Sequence, residues 1–422
     1  MLVHLNDLVA LRTSGTPRGI TSVCSAHPVV IRAALRHGRE AGSSVLIEAT
    51  CNQVNHQGGY TGMMPDDFVA MVYGIADQEN FPRDMIELGG DHLGPNPWRH
   101  LSADTAMAEA EKMIAAYVAS GFRKIHLDAS MGCAGEPVGL DDATTAERAV
   151  RLAIVAERVA QECGGQMPRY VIGTEVPPPG GADHALDTIT PTDPQAAQKT
   201  VAVHKRQFEE AGLSEAFTRV IGLVVQPGVE FGNHNVIAYD RGKAKALAQM
   251  LDGEERIVFE AHSTDYQGVV PLTELVQDGF AIVKVGPELT FVLREALYAL
   301  DLIASDLVPG YGDRPLKHQM ESIMLAAPES WDRHYIGDAP EQTVLRHYSL
   351  SDRIRYYWSA TQAEHAIKRL VSALNGKTVP LPLFWQHMPA AALFADAPLD
   401  PEDVLIWRVT QSLKAYHAAC NH

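Results

Sequence analysis

Residues 89–95 read Gly89-Gly90-Asp91-His92-Leu93-Gly94-Pro95, an acid and an imidazole side by side where an apolar run ends. Similar polar ends close Ile125-His126-Leu127-Asp128-Ala129-Ser130, Ile172-Gly173-Thr174-Glu175, Gln226-Pro227-Gly228-Val229-Glu230-Phe231-Gly232-Asn233-His234 and Glu260-Ala261-His262-Ser263-Thr264-Asp265. In a (β/α)8 barrel the C-terminal strand ends converge on one face, so groups far apart in the chain meet there. The pattern predicts an enzyme with a metal or acid–base centre on an α/β TIM barrel.

Working outward from these ends, short β-branched runs alternate with helical periods from about residue 19 to 305, the rhythm of βα units. Eight strands are expected near 19–24, 44–50, 85–91, 124–129, 169–175, 219–226, 257–262 and 281–286. Runs such as Val220 to Val225 and Ala281 to Val285 are apolar enough for buried parallel strands. Ser102 is placed to cap a helix from Ala103 to Ser120 that Gly121 stops, and Asp141 or Asp142 opens the next. Eight strands and no GxGxxG after the first favour a closed barrel over an open doubly wound sheet, which stays the alternative.

The strand rhythm stops after Leu307, and Pro309-Gly310-Tyr311-Gly312 reads as a turn. Residues 1–305 are therefore expected to form the barrel that carries the site, with 306–422 a helical C-terminal extension. Asp400-Pro401 supplies an N-cap and a proline at the first helical position for a terminal helix running to about Ala419.

The formal net charge of -17 argues against nucleic acid and anionic membrane as partners. The five cysteines, at 24, 51, 133, 163 and 420, show no paired spacing and are expected as free thiols in a reducing compartment. No apolar run approaches a membrane span and Met1 to Ile20 has no signal-peptide pattern, so a cytoplasmic location is expected.

His92, His234 and His262 with Glu175 form a set able to hold one divalent cation, since imidazole and carboxylate suit zinc and related ions. A single strand-end histidine is more often solvated or bound to a loop; four ligands at equivalent heights favour the metal. Asp91 and Asp128 are the candidates for proton transfer, with a capping role for Asp128, bonded to Ser130 and loop amides, as its other reading. Lys284, inside the eighth strand, is either a Schiff-base amine or a lysine paired to Glu175, Asp128 or a phosphate; the paired reading is preferred. Ser263, Thr264 and the bare amide of Gly286 are candidates for binding substrate or phosphate. Arg353 and Arg355, within Tyr348 to Trp358, are phosphate anchors or part of a docking segment in which Asp352 pairs with an arginine.

From about Gly19 to the end, the chain resembles the larger, accessory subunit of class II D-tagatose-1,6-bisphosphate aldolase, a family once labelled tagatose-6-phosphate kinases. The resemblance rests on Ser22 to Pro28, Ile47 to Thr50, Asn52 to Asn55, Gly58 to Met63, Gly89 to Asn96, Lys124 to Met131, Glu260 to Gln267 and Tyr348 to Trp358. It implies a fold like that of the metal-dependent class II aldolases, Asp91 as acid–base group, and His92, Glu175, His234 and His262 around the ion. The match at His234 is loosest, and Glu230 is the alternative there.

Members of this family are of two kinds. Some are non-catalytic and stabilise a smaller aldolase subunit; others act alone as metal-dependent 4-epimerases of D-tagatose 6-phosphate and D-fructose 6-phosphate. The preferred expectation is the epimerase, working by retro-aldol and aldol steps with Zn, Mn, Mg or Ni, the ion undecided. A sugar-phosphate substrate and self-association are also expected. Alternatives are the accessory subunit, the bisphosphate aldolase itself and a kinase, the last disfavoured because no GxxxxGK[ST] loop is present.

Overall fold

The computed structural model describes residues 3–174 and 189–422. Its centre is a closed barrel of eight parallel strands: β1 (Ile20–Cys24), β2 (Val45–Thr50), β3 (Ile86–Leu93), β4 (Lys124–Leu127), β5 (Arg169–Gly173), β6 (Val220–Val224), β7 (Val258–Ala261) and β8 (Ile282–Val285). Each follows its neighbour in ring order, and β8 closes on β1 with Ile20 opposite Ile282 and Ser22 opposite Lys284. All eight lie where the apolar runs predict them.

Side chains alternate across a strand, so residues two apart share a face. Leu46, Val258 and Ile282 pack with Val3, Leu5 and Leu8 of the N-terminal segment, which closes the N-terminal end of the barrel with an apolar plug. Two residues further along each strand come Glu48, Glu260 and Lys284, all buried. The intervening residues Ile47, Phe259 and Val283 belong to the main apolar core that packs under the helices. The barrel is thus apolar at its base and charged in the middle.

The helices that follow the eight strands in turn are α1 (Pro28–Ala41), α2 (Pro65–Glu79), α3 (Ala103–Ala119), α4 (Asp142–Glu162), α5 (Pro194–Glu210), α6 (Arg241–Ala248), α7 (Val269–Gln277) and α8 (Pro287–Leu307). Helix α3 starts after Ser102 as expected, but the Ser102 hydroxyl bonds Thr105 Oγ1 and leaves the backbone amides uncapped. Asp141 does cap α4, accepting from Thr144 N. No described helix is long and apolar enough to cross a membrane.

Beyond α8 come α9 (Pro315–Ala326), α10 (Ala339–Tyr348), α11 (Thr361–Leu374), α12 (Leu381–His387) and α13 (Pro401–Cys420). Helix α13 returns to the barrel wall, packing on α1, α7, α8 and β1. Its end is bonded to the start of β1 through Gly19 N and Cys420 O at 3.0 Å.

A hairpin that the sequence did not predict, Glu230–Phe231 paired with Val236–Ile237, follows β6. Its Asn233 anchors the C-terminal extension: Asn233 Oδ1 accepts from Ser349 Oγ at 2.7 Å and Ser351 Oγ at 3.0 Å. Tyr266 donates to the Leu350 carbonyl at 2.6 Å, and Asp352 is paired with Arg294 at 3.0 Å. These contacts hold Arg353 to Trp358 over the barrel mouth.

Candidate active site

The end of β3 departs from regular strand. The β3–β4 register shifts between Gly90 and Leu93, and His92 sits at φ 48°, a left-handed conformation uncommon for a residue with a Cβ. Gly94 then passes so close to β4 that a Cβ there would lie 1.7 Å from the Asp128 carbonyl oxygen. This bend sets His92 beside Asp128 and leaves Asp91 pointing into the barrel.

Asp91, His92, His126 and His262 present ligand atoms within 4.8 Å of one another. The His92 ring lies 4.7 Å from that of His262, and the His126 ring is 5.0 Å from His92. Tautomers decide what each ring offers. His92 Nδ1–H donates to Asp128 Oδ2 at 2.8 Å, which makes Nε2 its lone-pair nitrogen. His262 Nε2–H donates to Glu260 Oε1 at 2.9 Å, which puts its lone pair on Nδ1. An imidazole whose other N–H is fixed on a carboxylate is the usual arrangement of a metal-ligating histidine.

His126 is different. Its Nε2–H donates to the Gly173 carbonyl at 3.0 Å, and its Nδ1 accepts the His92 backbone N–H at 3.2 Å. The same Nδ1, a lone-pair nitrogen in this tautomer, lies 3.1 Å from Asp91 Oδ1 without a proton to share, so the role of His126 is to link β3 to β5. The donor set therefore suits a divalent cation on His92 and His262, which share one tautomer-locking device.

Below this cluster lies a buried charge network. Lys124 Nζ is 2.6 Å from Glu48 Oε1 and 2.8 Å from Glu260 Oε2. Lys284 Nζ is 2.9 Å from Glu48 Oε2 and 3.1 Å from Glu260 Oε1, and it also contacts Asp91 Oδ1. Burial alone would neutralise Lys284, but Asp91, Glu260 and Glu48 outweigh it and hold the pKa well above the usual lysine value. An amine kept as ammonium is no nucleophile. The Schiff-base reading is thereby disfavoured, and the partners of Lys284 are Glu48, Asp91 and Glu260 in place of Asp128.

The surrounding charges also set the site's protonation. Burial works against ionised Asp91, yet His92 and Lys284 hold it well below the usual carboxylate range. Burial and then Lys284 push His262 down to about 3, so it is a neutral imidazole. Burial lowers His92, but Asp91 and Asp128 raise it above its ordinary value.

This cluster opens into a cavity of about 1470 Å³ shared with Tyr60, Arg353, Arg355 and Trp358. Arg355 donates to the carbonyls of Ser351 and Asp352 and, at 3.0 Å, to Tyr356 Oη. Among the described residues no carboxylate forms an ion pair with it. A half-buried guanidinium with neutral partners is suited to an anion arriving from the cavity.

The family described as D-tagatose-1,6-bisphosphate aldolase subunit GatZ/KbaZ-like matches residues 5–421. The chain belongs to this GatZ/KbaZ-like family. A relative from Agrobacterium fabrum (strain C58 / ATCC 33970) named D-tagatose 6-phosphate 4-epimerase is 58% identical over 419 residues, 99% of each chain. A crystal structure from Sinorhizobium meliloti 1021, described as a probable tagatose 6 phosphate kinase, is 53% identical with a TM-score of 0.87, covering 96% of this chain and 100% of that one. The fructuronate-tagaturonate epimerase UxaE of Cohnella laeviribosi shares the fold, with a TM-score of 0.50 at 11% identity over 98% of this chain and 86% of its own.

Within this GatZ/KbaZ-like barrel, the sequence candidates fall into several places. Asp91, His92, Asp128, His262, Ser263, Lys284, Gly286, Arg353 and Arg355 all line the cavity. Glu175 lies outside the described residues. His234 is exposed in the hairpin turn, away from the cluster, because its neighbour Asn233 faces the C-terminal extension. Glu230 is buried beneath that turn and bonded to Phe231 N at 2.9 Å. Thr264 is fully buried and donates to the Lys284 carbonyl, which makes it a brace between β7 and β8 and no part of the cavity wall. Asp128 accepts from Ser130 Oγ at 2.7 Å as well as from His92, so both its oxygens are engaged.

Sequence reading passed over His126, Lys124 and Glu48 as site residues. A signal was available: Lys124, His126 and Asp128 recur at the strand period of two, as do Glu260 and His262. Charged residues at that spacing inside otherwise apolar strands mark the barrel interior.

Proposed function

We propose that this chain is a divalent-metal-dependent 4-epimerase interconverting D-tagatose 6-phosphate and D-fructose 6-phosphate. The observation that carries the reading is the pair of carboxylate-locked imidazoles, His92 on Asp128 and His262 on Glu260, beside Asp91 in one cavity. The relative that bears this name, 58% identical over 99% of the chain, supports the choice of substrate. His92 and His262 would hold the cation, with Glu175 a further candidate from the sequence, and the ion would supply Lewis-acid stabilisation of negative charge on substrate oxygens.

Carbon 4 of the sugar is β to the C2 carbonyl, so its hydrogen is not acidic and inversion goes through the C3–C4 bond. Asp91, kept ionised by His92 and Lys284, takes the proton of the C4 hydroxyl. The oxygen's electrons form the aldehyde at C4 while the C3–C4 pair moves to C3 and spreads onto the C2 carbonyl as an enediolate. After the aldehyde turns its other face, C3 attacks it again and Asp91 returns the proton to the C4 oxygen. No oxidant or second substrate is needed. Asp128 and Glu260 fix the imidazoles, Lys284 holds Asp91, and Arg355 with Arg353 would take the 6-phosphate, so that both fragments stay in the site.

The family description favours a second reading, a subunit that stabilises a smaller class II aldolase. The test is to incubate the purified chain alone with fructose 6-phosphate and Mg²⁺, Mn²⁺, Zn²⁺ or Ni²⁺ in turn, following products by NMR. Tagatose 6-phosphate is expected, and its formation should stop with EDTA. Silence with every ion would overturn the epimerase and leave the accessory role, to be read as a gain in the partner's activity. Hydrolysis or transfer from ATP is not expected.

A further inference from the structure

In a (β/α)8 barrel the loops after the seventh and eighth strands and the helix start beside them form a common phosphate site, built from amides at a positive dipole end. Here α8, 21 residues long, begins directly after β8 with Pro287, which has no N–H. The amides on either side of that proline, Gly286 N and Glu288 N, both donate to one oxygen, Asp265 Oδ1, at 3.0 and 2.7 Å. Asp265 is buried in the loop after β7 and lines the cavity. A carboxylate of the chain thus occupies the place of a phosphate.

Its surroundings reinforce the point. The Glu288 carboxylate accepts from Tyr266 N at 2.6 Å and puts a second negative charge near Asp265. Burial, then Glu288, raise the Asp265 carboxyl to about 7, with the two amides and Arg355 pulling the other way. Gly286 is two residues beyond Lys284, which holds Asp91, so the plugged amides adjoin the reacting centre.

We propose that Asp265 is a specificity residue: its carboxylate fills the amide site at the ends of β7 and β8 and restricts substrates to sugars phosphorylated only at the end far from the carbonyl. Sugar 1-phosphates and 1,6-bisphosphates are excluded. This rests on the epimerase reading, in which the three-carbon half kept beside His92 and His262 carries no phosphate, and it separates this chain from a bisphosphate aldolase.

The test measures dissociation constants calorimetrically for fructose 6-phosphate, fructose 1-phosphate and fructose 1,6-bisphosphate. The wild type should bind the bisphosphate at least about tenfold more weakly than the 6-phosphate, the loss of one or two charge-assisted bonds. Asp265→Ala frees both amides and should raise affinity for the 1-phosphate and the bisphosphate by about tenfold to a hundredfold. Asp265→Asn keeps an acceptor on the amides and should stay closed; Asp265→Ser replaces the alanine variant if that does not fold. Equal wild-type affinity for the bisphosphate, an unchanged ratio in the alanine or serine variant, or an asparagine variant that opens would each overturn the proposal. Because binding is read directly, an expected ratio without turnover would overturn the epimerase reading alone, and turnover with equal affinities would overturn this inference alone.

Discussion

His92 Nδ1 and Asp128 Oδ2 are 2.8 Å apart, a charge-assisted bond between the bent end of β3 and the loop after β4. It fixes the ring so that Nε2 is the basic nitrogen, 3.7 Å from Asp91 Oδ2. Asp128→Asn keeps the shape and removes the charge. Metal affinity should fall about 10- to 100-fold, measured by chelator competition, with the circular dichroism spectrum unchanged. An affinity equal to wild type would remove His92 from the ligand set.

Among the described residues, Asp91 is the one cavity carboxylate whose oxygens face Lys284, His126 and His92 together. With Asp91→Asn the C4 hydroxyl proton has no acceptor. Turnover followed by NMR should drop about 10²- to 10⁴-fold while metal stays bound, the range for a positioned general base. A rate within a factor of about two of wild type would sink the assignment.

Arg355 is half-buried against Tyr356, its guanidinium carbon 4.5 Å from the ring centroid, and it lines the cavity. Replacing it by methionine keeps much of the apolar stem and deletes the charge. KM for fructose 6-phosphate should rise about 10- to 100-fold with a smaller change in kcat, as expected for loss of one or two charge-assisted bonds. An effect confined to kcat would place the phosphate elsewhere.

Glu230 is fully buried, and burial raises its carboxyl to about 7, with the Phe231 amide and Ser263 pulling the other way. Its unfolded value is about 4.3, so the native state holds the proton more tightly than the unfolded chain. The stability it contributes is present in full below about pH 4.3 and is lost as pH rises through about 7. Glu230→Gln should therefore match wild type near pH 4 and exceed it near pH 9 by up to roughly 3 kcal/mol, read from urea unfolding at the two pH values. A variant that keeps the wild-type pH dependence would refute the buried proton.

Much of the architecture was legible in the chain because it is locally encoded. Val220 to Val225 and Ile282 to Val285 are β-branched runs too short and too apolar for exposed helices, and each is followed by capping or glycine signals. Asp91, His92 and His262 were legible for the same reason: a titratable residue at a strand end, in a barrel, faces the common mouth.

The hairpin at Glu230–Phe231 and Val236–Ile237 was not legible, since two-residue strands leave no period to detect. With it went the placement of His234, whose exposure follows from Asn233 docking to Ser349 and Ser351 more than a hundred residues later. Thr264 reads as a mouth hydroxyl in sequence and is a brace in the structure, because the strand period says which face a residue takes and not what lies across from it.

The sequence by itself determined the strands, the terminal helix and the acid–imidazole ends, all properties of spacing within about ten residues. Tertiary structure alone decided the partners: Lys124 between Glu48 and Glu260, His126 on Gly173, Asp265 on the amides of Gly286 and Glu288, and α13 against β1. Closing a barrel fixes which strand ends become neighbours through ring order and register. Those are relations between segments tens to hundreds of residues apart, and no local pattern encodes them.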